Sequence, residues 1–305
     1  MKSVLVFGGA RGIGRAVANA FVVEGFGVTV VARTRKEIDA TVRELSVMGE
    51  VQGYQTDVSV YREVEEAVES HLAKFEGFDV VVNAAAIQGP IGPLWKNDPN
   101  HWAKNVSINL IGSFNVCRAV VPEMIKAESG AIILFSGGGA AYARPNFSAY
   151  GVTKTGVLRL VETINEELKE GETKRRDRPS EMSCARHGHE FHGVKMSEVR
   201  GKGEEEFVRV YAVAPGAVKT RMTEEVIVNK EEAGEKEFAE ALSTNKEGST
   251  SPEKAAQLCL FLARERPACL SGRLIHVNEP YREYVARFKV KKMGDKGMLR
   301  RMSFE

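Results

Sequence analysis

The sequence is poor in the features that mark secreted, membrane-spanning or nucleic-acid-binding chains. Its four cysteines, Cys117, Cys184, Cys259 and Cys269, stand far apart with no Cys-x-x-Cys pair. No disulfide framework is visible, and reduced thiols in a cytoplasmic protein are the simplest reading. No run approaches the roughly 18 uninterrupted apolar residues that a membrane span needs. The first apolar stretch, in "MKSVLVFGGARG", is too short for the core of a signal peptide. A net charge of +2, with charged residues at 28%, gives no global basic field and no case for nucleic acid. Internal repeats are also lacking.

What is there is apolar mass in a regular order. The chain has 305 residues, 43% of them hydrophobic, enough to bury a large core. Short β-branched runs alternate with longer amphipathic segments. "SVLVF" precedes a helix from about residue 12, "GVTVVA" one from about 34, and "VQGYQT" one from about 60. "FDVVVNAAA", "GAIILFSGGG", a helix over about 149–169, the strand "VRVYAVAPG" and a last strand "GRLIHV" follow. Strand–helix alternation of this kind predicts an α/β fold: three α/β/α layers, Rossmann-like, with a parallel sheet of about seven strands. "SPEKAAQLCLFLARE" predicts a helix with Ser251 as N-cap and Pro252 at its first position.

Two segments stand outside this pattern in what is otherwise one domain over residues 1–305. Residues 171–206 carry eight Lys/Arg, eight Asp/Glu and five glycines, which reads as a surface insertion. Within it, Cys184, His187, His189 and His192 are residue types that bind zinc. Four ligands so close together leave little chain to wrap tetrahedrally, so a polar loop is the reading adopted and no metal is assigned. The tail, 281–305, has eight Lys/Arg against three Asp/Glu. It reads as a solvated or loosely docked extension, with a basic lid over an anionic substrate as the sharper alternative.

The chemistry concentrates in two motifs. In "AYGVTK", Tyr150 precedes Lys154 by four residues on a helix, so both lie on one face and the ammonium can sit beneath the phenol. A cation there lowers a phenol's pKa from about 10 toward a working pH. In "VLVFGGARGIGRAVA", Gly8, Gly12 and Gly14 stand where the first strand meets the first helix, where glycines let the backbone turn tightly and approach a pyrophosphate.

These motifs, with the Asn-Ala strand end at Asn83 and Ala84, resemble the short-chain dehydrogenase/reductase family over about residues 3–277, apart from the insertion. The resemblance implies hydride transfer between a nicotinamide and a small-molecule carbonyl or alcohol, with Tyr150 as general acid/base and Lys154 assisting. It implies that Gly8, Gly12, Ile13 and Gly14 meet the diphosphate, that Asp57 holds the adenine, and that Asn83 and Ala84 pack beside the ribose. Pro215, Gly216, Val218 and Thr220 would line the nicotinamide, and Asn109 would hold a water that links Lys154 to solvent. A homodimer or homotetramer built on the helices around Asn109 and Tyr150 is implied as well.

Cofactor choice is read at the end of the second strand, where NAD enzymes commonly carry a carboxylate for the ribose 2′-hydroxyl. Ala32 stands there and Arg33 follows, while Arg11 adds a second cation. Two guanidiniums suit a 2′-phosphate, so NADP is expected over NAD. The family's substrate-orienting serine would fall at residue 137, which is Gly137; Ser136 is expected to take the role, with Ser148 or a substrate hydroxyl as substitutes. The substrate stays open among 3-oxoacyl thioesters, sugars and other ketones. The rival readings are a nucleotide-sugar epimerase or dehydratase and a non-catalytic NADP-binding regulatory protein.

Overall fold

The computed structural model describes residues 1–176, 207–245, 250–288 and 298. Seven strands form a single sheet: β1 (Ser3–Phe7), β2 (Gly27–Ala32), β3 (Val51–Gln55), β4 (Val80–Asn83), β5 (Gly130–Phe135), β6 (Val208–Ala214) and β7 (Leu274–His276). All neighbours are parallel, in the order β3-β2-β1-β4-β5-β6-β7. The central strands are buried on both faces, which is why β1 and β5 read as continuous apolar runs rather than alternating ones.

Side-chain alternation divides the strand residues between two cores. Val4 and Val6 of β1 join one cluster with α1 (Gly12–Val23), α2 (Arg35–Leu45) and α11 (Pro252–Glu265). Leu5 and Phe7 join the other, with α3 (Tyr61–Phe75), α5 (Gly112–Ala127) and α7 (Ser148–Arg176). Those are the three expected layers. On the inner face of α3, His71 is buried, with Nδ1 at 2.7 Å from Thr29 Oγ1 and Nε2 at 3.1 Å from both Ser3 Oγ and the Gly77 carbonyl. Burial lowers its pKa to about 4, so it is a neutral polar plug.

The remaining helices cap the sheet's carboxyl end or its flanks: α4 (Pro99–Val106), α6 (Gly138–Ala141), α8 (Arg221–Val228), α9 (Lys230–Ala233), α10 (Glu235–Ser243) and α12 (Tyr281–Phe288). Ser251 caps α11 as expected, accepting from the Glu253 amide, with Pro252 at the first helical position.

Two of the expected boundaries gain detail. Helix α7 continues through Arg176, so the first residues assigned to the insertion are helical. Cys184, His187, His189 and His192, of the segment read as a polar loop, lie outside the described residues. The tail begins as a docked helix: Tyr281, Tyr284, Val285 and Phe288 pack on the first core, and Tyr281 lies 5.0 Å from the Phe261 ring. No residue of α12 lines the cleft described next.

Candidate active site

A cleft of about 660 Å³ opens at the carboxyl ends of β1 and β4, where the strand order reverses direction. Gly8, Arg11, Gly12, Ile13, Gly14, Arg33, Ala84 and Thr220 line it. The glycine loop is shaped by sterics. Gly12 has φ +52°, and a methyl built on it would project across the cleft to within 3.8 Å of Thr220. A methyl on Gly14 would stand 2.1 Å from the Gly8 carbonyl oxygen, which no backbone tolerates. No side chain caps the start of α1, leaving its first amides to face an anion. The cradle, the bare helix start and the size of the cleft fit a dinucleotide.

Other expected residues sit around the cleft rather than in its wall. Asn83 is buried at the end of β4, accepting from the Ala85 amide at 3.1 Å and donating to Ser113 Oγ at 3.2 Å. Asp57 Oδ1 accepts from the Ser59 amide (2.9 Å) and hydroxyl (2.6 Å), closing the turn before α3. Pro215 and Gly216 follow β6, and Val218 offers its carbonyl to Thr223 Oγ1 at 3.0 Å within the turn that Thr220 caps onto α8. Both expected phosphate cations have acidic neighbours: Arg11 meets Glu37 at 3.3 Å, and Arg33 lies 4.0 Å from Asp57. Glu37, which lines the cleft from the first turn of α2, had no motif to announce it.

Deeper along β5 lies the Tyr150 and Lys154 pair. Lys154 is buried and donates to the Phe135 carbonyl at 2.9 Å, its ammonium 5.5 Å from the Tyr150 ring centroid. Burial lowers its pKa to about 8. Asn109 falls in a π-helical turn, Ser107–Ile111, and clamps Ile87 by both backbone groups, accepting from its amide and donating to its carbonyl at 2.9 Å each. Such turns often mark functional positions, and this one aims the amide at the loop after β4.

The phenol has two cations near its ring. Burial raises the Tyr150 pKa above its ordinary value, Arg144 opposes the rise with its guanidinium carbon 5.6 Å from the ring centroid, and Tyr142 adds to it. The Lys154 ammonium stands at a like distance, 5.5 Å.

The serine assignment also fails on geometry. Ser136 continues the β5 ladder through its amide to the Val213 carbonyl, and its buried hydroxyl donates to the Lys154 carbonyl at 2.9 Å. That bond turns the hydroxyl to the α7 backbone at Lys154 rather than to the phenol. A methyl built on Gly137 would stand 3.5 Å from Tyr150 Oη. Ser148 Oγ accepts from Trp102 Nε1 at 3.2 Å and is likewise engaged elsewhere.

A parallel three-layer fold with its cleft at the switch point belongs to the Rossmann-like nucleotide-binding class. Residues 2–173 match the family described as short chain dehydrogenase, and residues 202–281 the one described as Enoyl-(Acyl carrier protein) reductase. The chain belongs to the short-chain dehydrogenase/reductase family and is an oxidoreductase acting between CH–OH and C=O groups.

The 3-oxoacyl-[acyl-carrier-protein] reductase of Thermotoga maritima is 30% identical over 279 residues, spanning 91% of this chain and 96% of its own. A solved 3-oxoacyl-[acyl-carrier protein] reductase of Brucella melitensis with bound NAD is 25% identical, covers 90% of this chain and 89% of its own, and has a TM-score of 0.67. The structure of NAD+-bound xylitol dehydrogenase, 20% identical over 90% of this chain and 96% of its own, shares the fold at a TM-score of 0.73.

Proposed function

We propose that the chain is an NADP(H)-dependent reductase of small-molecule ketones, with 3-oxoacyl thioesters as the first class to try, and that Tyr150 exchanges the proton with the reacting oxygen. The observation that carries this reading is the pairing on α7: Tyr150 Oη opens onto the space left by Gly137, and Lys154 is pinned one turn away by the Phe135 carbonyl. When bound, the nicotinamide supplies or takes the hydride. Tyr150 gives its hydroxyl proton to the developing alkoxide, and a phenolate left behind is balanced by the nearby cations. Asn109 keeps the loop after β4 in place and holds the water path to Lys154.

The choice of NADP rests on Arg11 and Arg33, which both line the cleft, and on Ala32 at the end of β2, which offers no carboxylate. The 3-oxoacyl class rests on the Thermotoga maritima relative. Exposed Ile111, Phe114 and Val152, on the helices around Asn109 and Tyr150, support a homodimer or homotetramer. A cytoplasmic location agrees with free Cys117, Cys259 and Cys269. Among the described residues no helix is long and apolar enough to cross a membrane.

The test is NADPH consumption over a panel of 3-oxoacyl thioesters, sugars, aldehydes and ketones, with Tyr150→Phe alongside. Turnover of one class that vanishes in the variant is the expected result. NADPH binding with no turnover of any class would favour a non-catalytic NADP-binding protein.

A further inference from the structure

The turn between α6 and α7 carries a cation that the reaction scheme above leaves unassigned. Arg144 makes a two-point ion pair with Glu237 of α10, through Nε to Oε1 at 3.3 Å and through Nη2 to Oε2. The pair is nearly dry, with side-chain exposures of 16% and 9%. The guanidinium carbon stands 4.2 Å from the Phe147 ring centroid and 5.6 Å from that of Tyr150. A second tie runs beside it, from Asn146 Nδ2 to the Ala233 carbonyl at 3.2 Å. The turn that positions Tyr150 is thus stitched to the α8–α10 segment, whose first helix lines the cleft through Met222, Glu224 and Glu225.

We propose that Arg144 is a positioning residue for Tyr150: clamped by Glu237 and stacked on Phe147, it holds a fixed positive charge beside the phenol that exchanges the proton. Such a charge favours the phenolate, and the favour is larger in a half-buried setting than in water. The titratable groups around Tyr150 are Lys154 on its own helix, Tyr142 and Arg144 from the preceding turn, and Glu237 behind Arg144. The other side of the ring's cluster is apolar, with Ile91, Val226 and Ile227. Lys154 stands 5.5 Å and Arg144 5.6 Å from the ring centroid, so Arg144 adds a second cation beside the phenol, and the α8–α10 segment sets where that charge sits.

The proposal rests on Tyr150 being the proton donor, so its test is read first without turnover. Tyr150 is titrated by NMR on ring-labelled tyrosine in the full chain, its signal assigned among the seven tyrosines by loss in Tyr150→Phe. Replacing Arg144 alone would strand a buried carboxylate, so the test variant changes both partners, Arg144→Met with Glu237→Gln. The expected result is a Tyr150 titration moved roughly one pH unit upward, matched by the pH profile of kcat in alcohol oxidation. Arg144→Lys, which keeps the charge, is expected to return most of that shift. An unmoved titration in a folded double variant overturns the proposal. So does a Lys variant that shifts as far as the double variant, because packing and not charge would then be the cause. Failure of the activity panel with a shifted titration would instead overturn only the assignment of Tyr150 to catalysis.

Discussion

Two glycine-bearing turns, at the ends of β1 and β5 on either side of β4, use the same residue for opposite reasons. In the loop after β1, a methyl on Gly14 would collide with the Gly8 carbonyl, so the absence of a side chain is a packing requirement. In the turn after β5, a methyl on Gly137 would meet nothing nearer than Tyr150 Oη at 3.5 Å, an ordinary contact, and no positive φ demands glycine there. The first glycine is dictated by the backbone. The second leaves a gap beside the Tyr150 hydroxyl. Glycine content alone therefore says little; what surrounds the missing Cβ decides its meaning.

Gly14→Ala presses hardest on the first half of this contrast. With backbone atoms of Gly8 at 2.1 and 2.7 Å from the new methyl, either the loop or the start of α1 must move. A destabilisation of about 3 kcal/mol is expected, at the upper end of overpacking costs. Dinucleotide binding should be lost with it, because the amides at the helix start would be displaced. Denaturant unfolding together with cofactor titration checks both. A variant that unfolds at the wild-type midpoint and still binds would show that the cradle is not held by sterics.

Gly137→Ser tests the other half, with a smaller effect of opposite sign. The new hydroxyl would stand beside Tyr150 Oη and offer a second donor to the reacting oxygen. One hydrogen bond to a developing charge is worth about 1.5 kcal/mol, or roughly tenfold in kcat. Stability is expected to change by less than about 0.5 kcal/mol, since the space exists already. Stopped-flow reduction of whichever panel substrate turns over gives the rate. A fall in kcat at unchanged stability would mean that the substrate itself fills the gap, and that its own group is the second donor.

The sheet was legible because the central strands β1, β2, β4, β5 and β6 are largely apolar runs and the strands alternate with helices; handedness then limits the order. Helix starts marked by local chemistry were legible too, as Ser251 and Pro252 illustrate. The direction of Ser136 was not, because counting residues back from Tyr150 cannot reveal which side of the extended β5 backbone faces the phenol. Arg144 and Glu237 are 93 residues apart, and only the packing of α10 on the turn before α7 brings them together. The docking of α12 had a signal that charge counting obscured. Tyr281, Tyr284, Val285 and Phe288 follow the three-and-four spacing of a helix face, and Arg282 lies over the Phe261 ring at 4.9 Å.

The smallest expected effect lies beside the first turn, where Arg11 and Glu37 share the cleft. Glu37 Oε1 is 3.3 Å from Arg11 Nη1, and both side chains are substantially exposed, at 38% and 47%. The carboxylate opposes a 2′-phosphate and could itself accept from a 2′-hydroxyl, so it weakens the preference that Arg11 and Arg33 create. An exposed pair of this kind is worth about 0.2–1 kcal/mol. Glu37→Gln removes the charge while keeping the shape, and is expected to tighten NADPH severalfold at low salt while leaving NADH nearly unchanged. The gain should fade as salt is raised, because exposed charges are screened over about 10 Å at 0.1 M. Fluorescence titration with both nucleotides at two ionic strengths reads the difference. If NADH weakens instead and NADPH stays where it was, Glu37 is holding the ribose hydroxyl, the cleft is built for NAD, and the two arginines serve only to close the loops in which they sit.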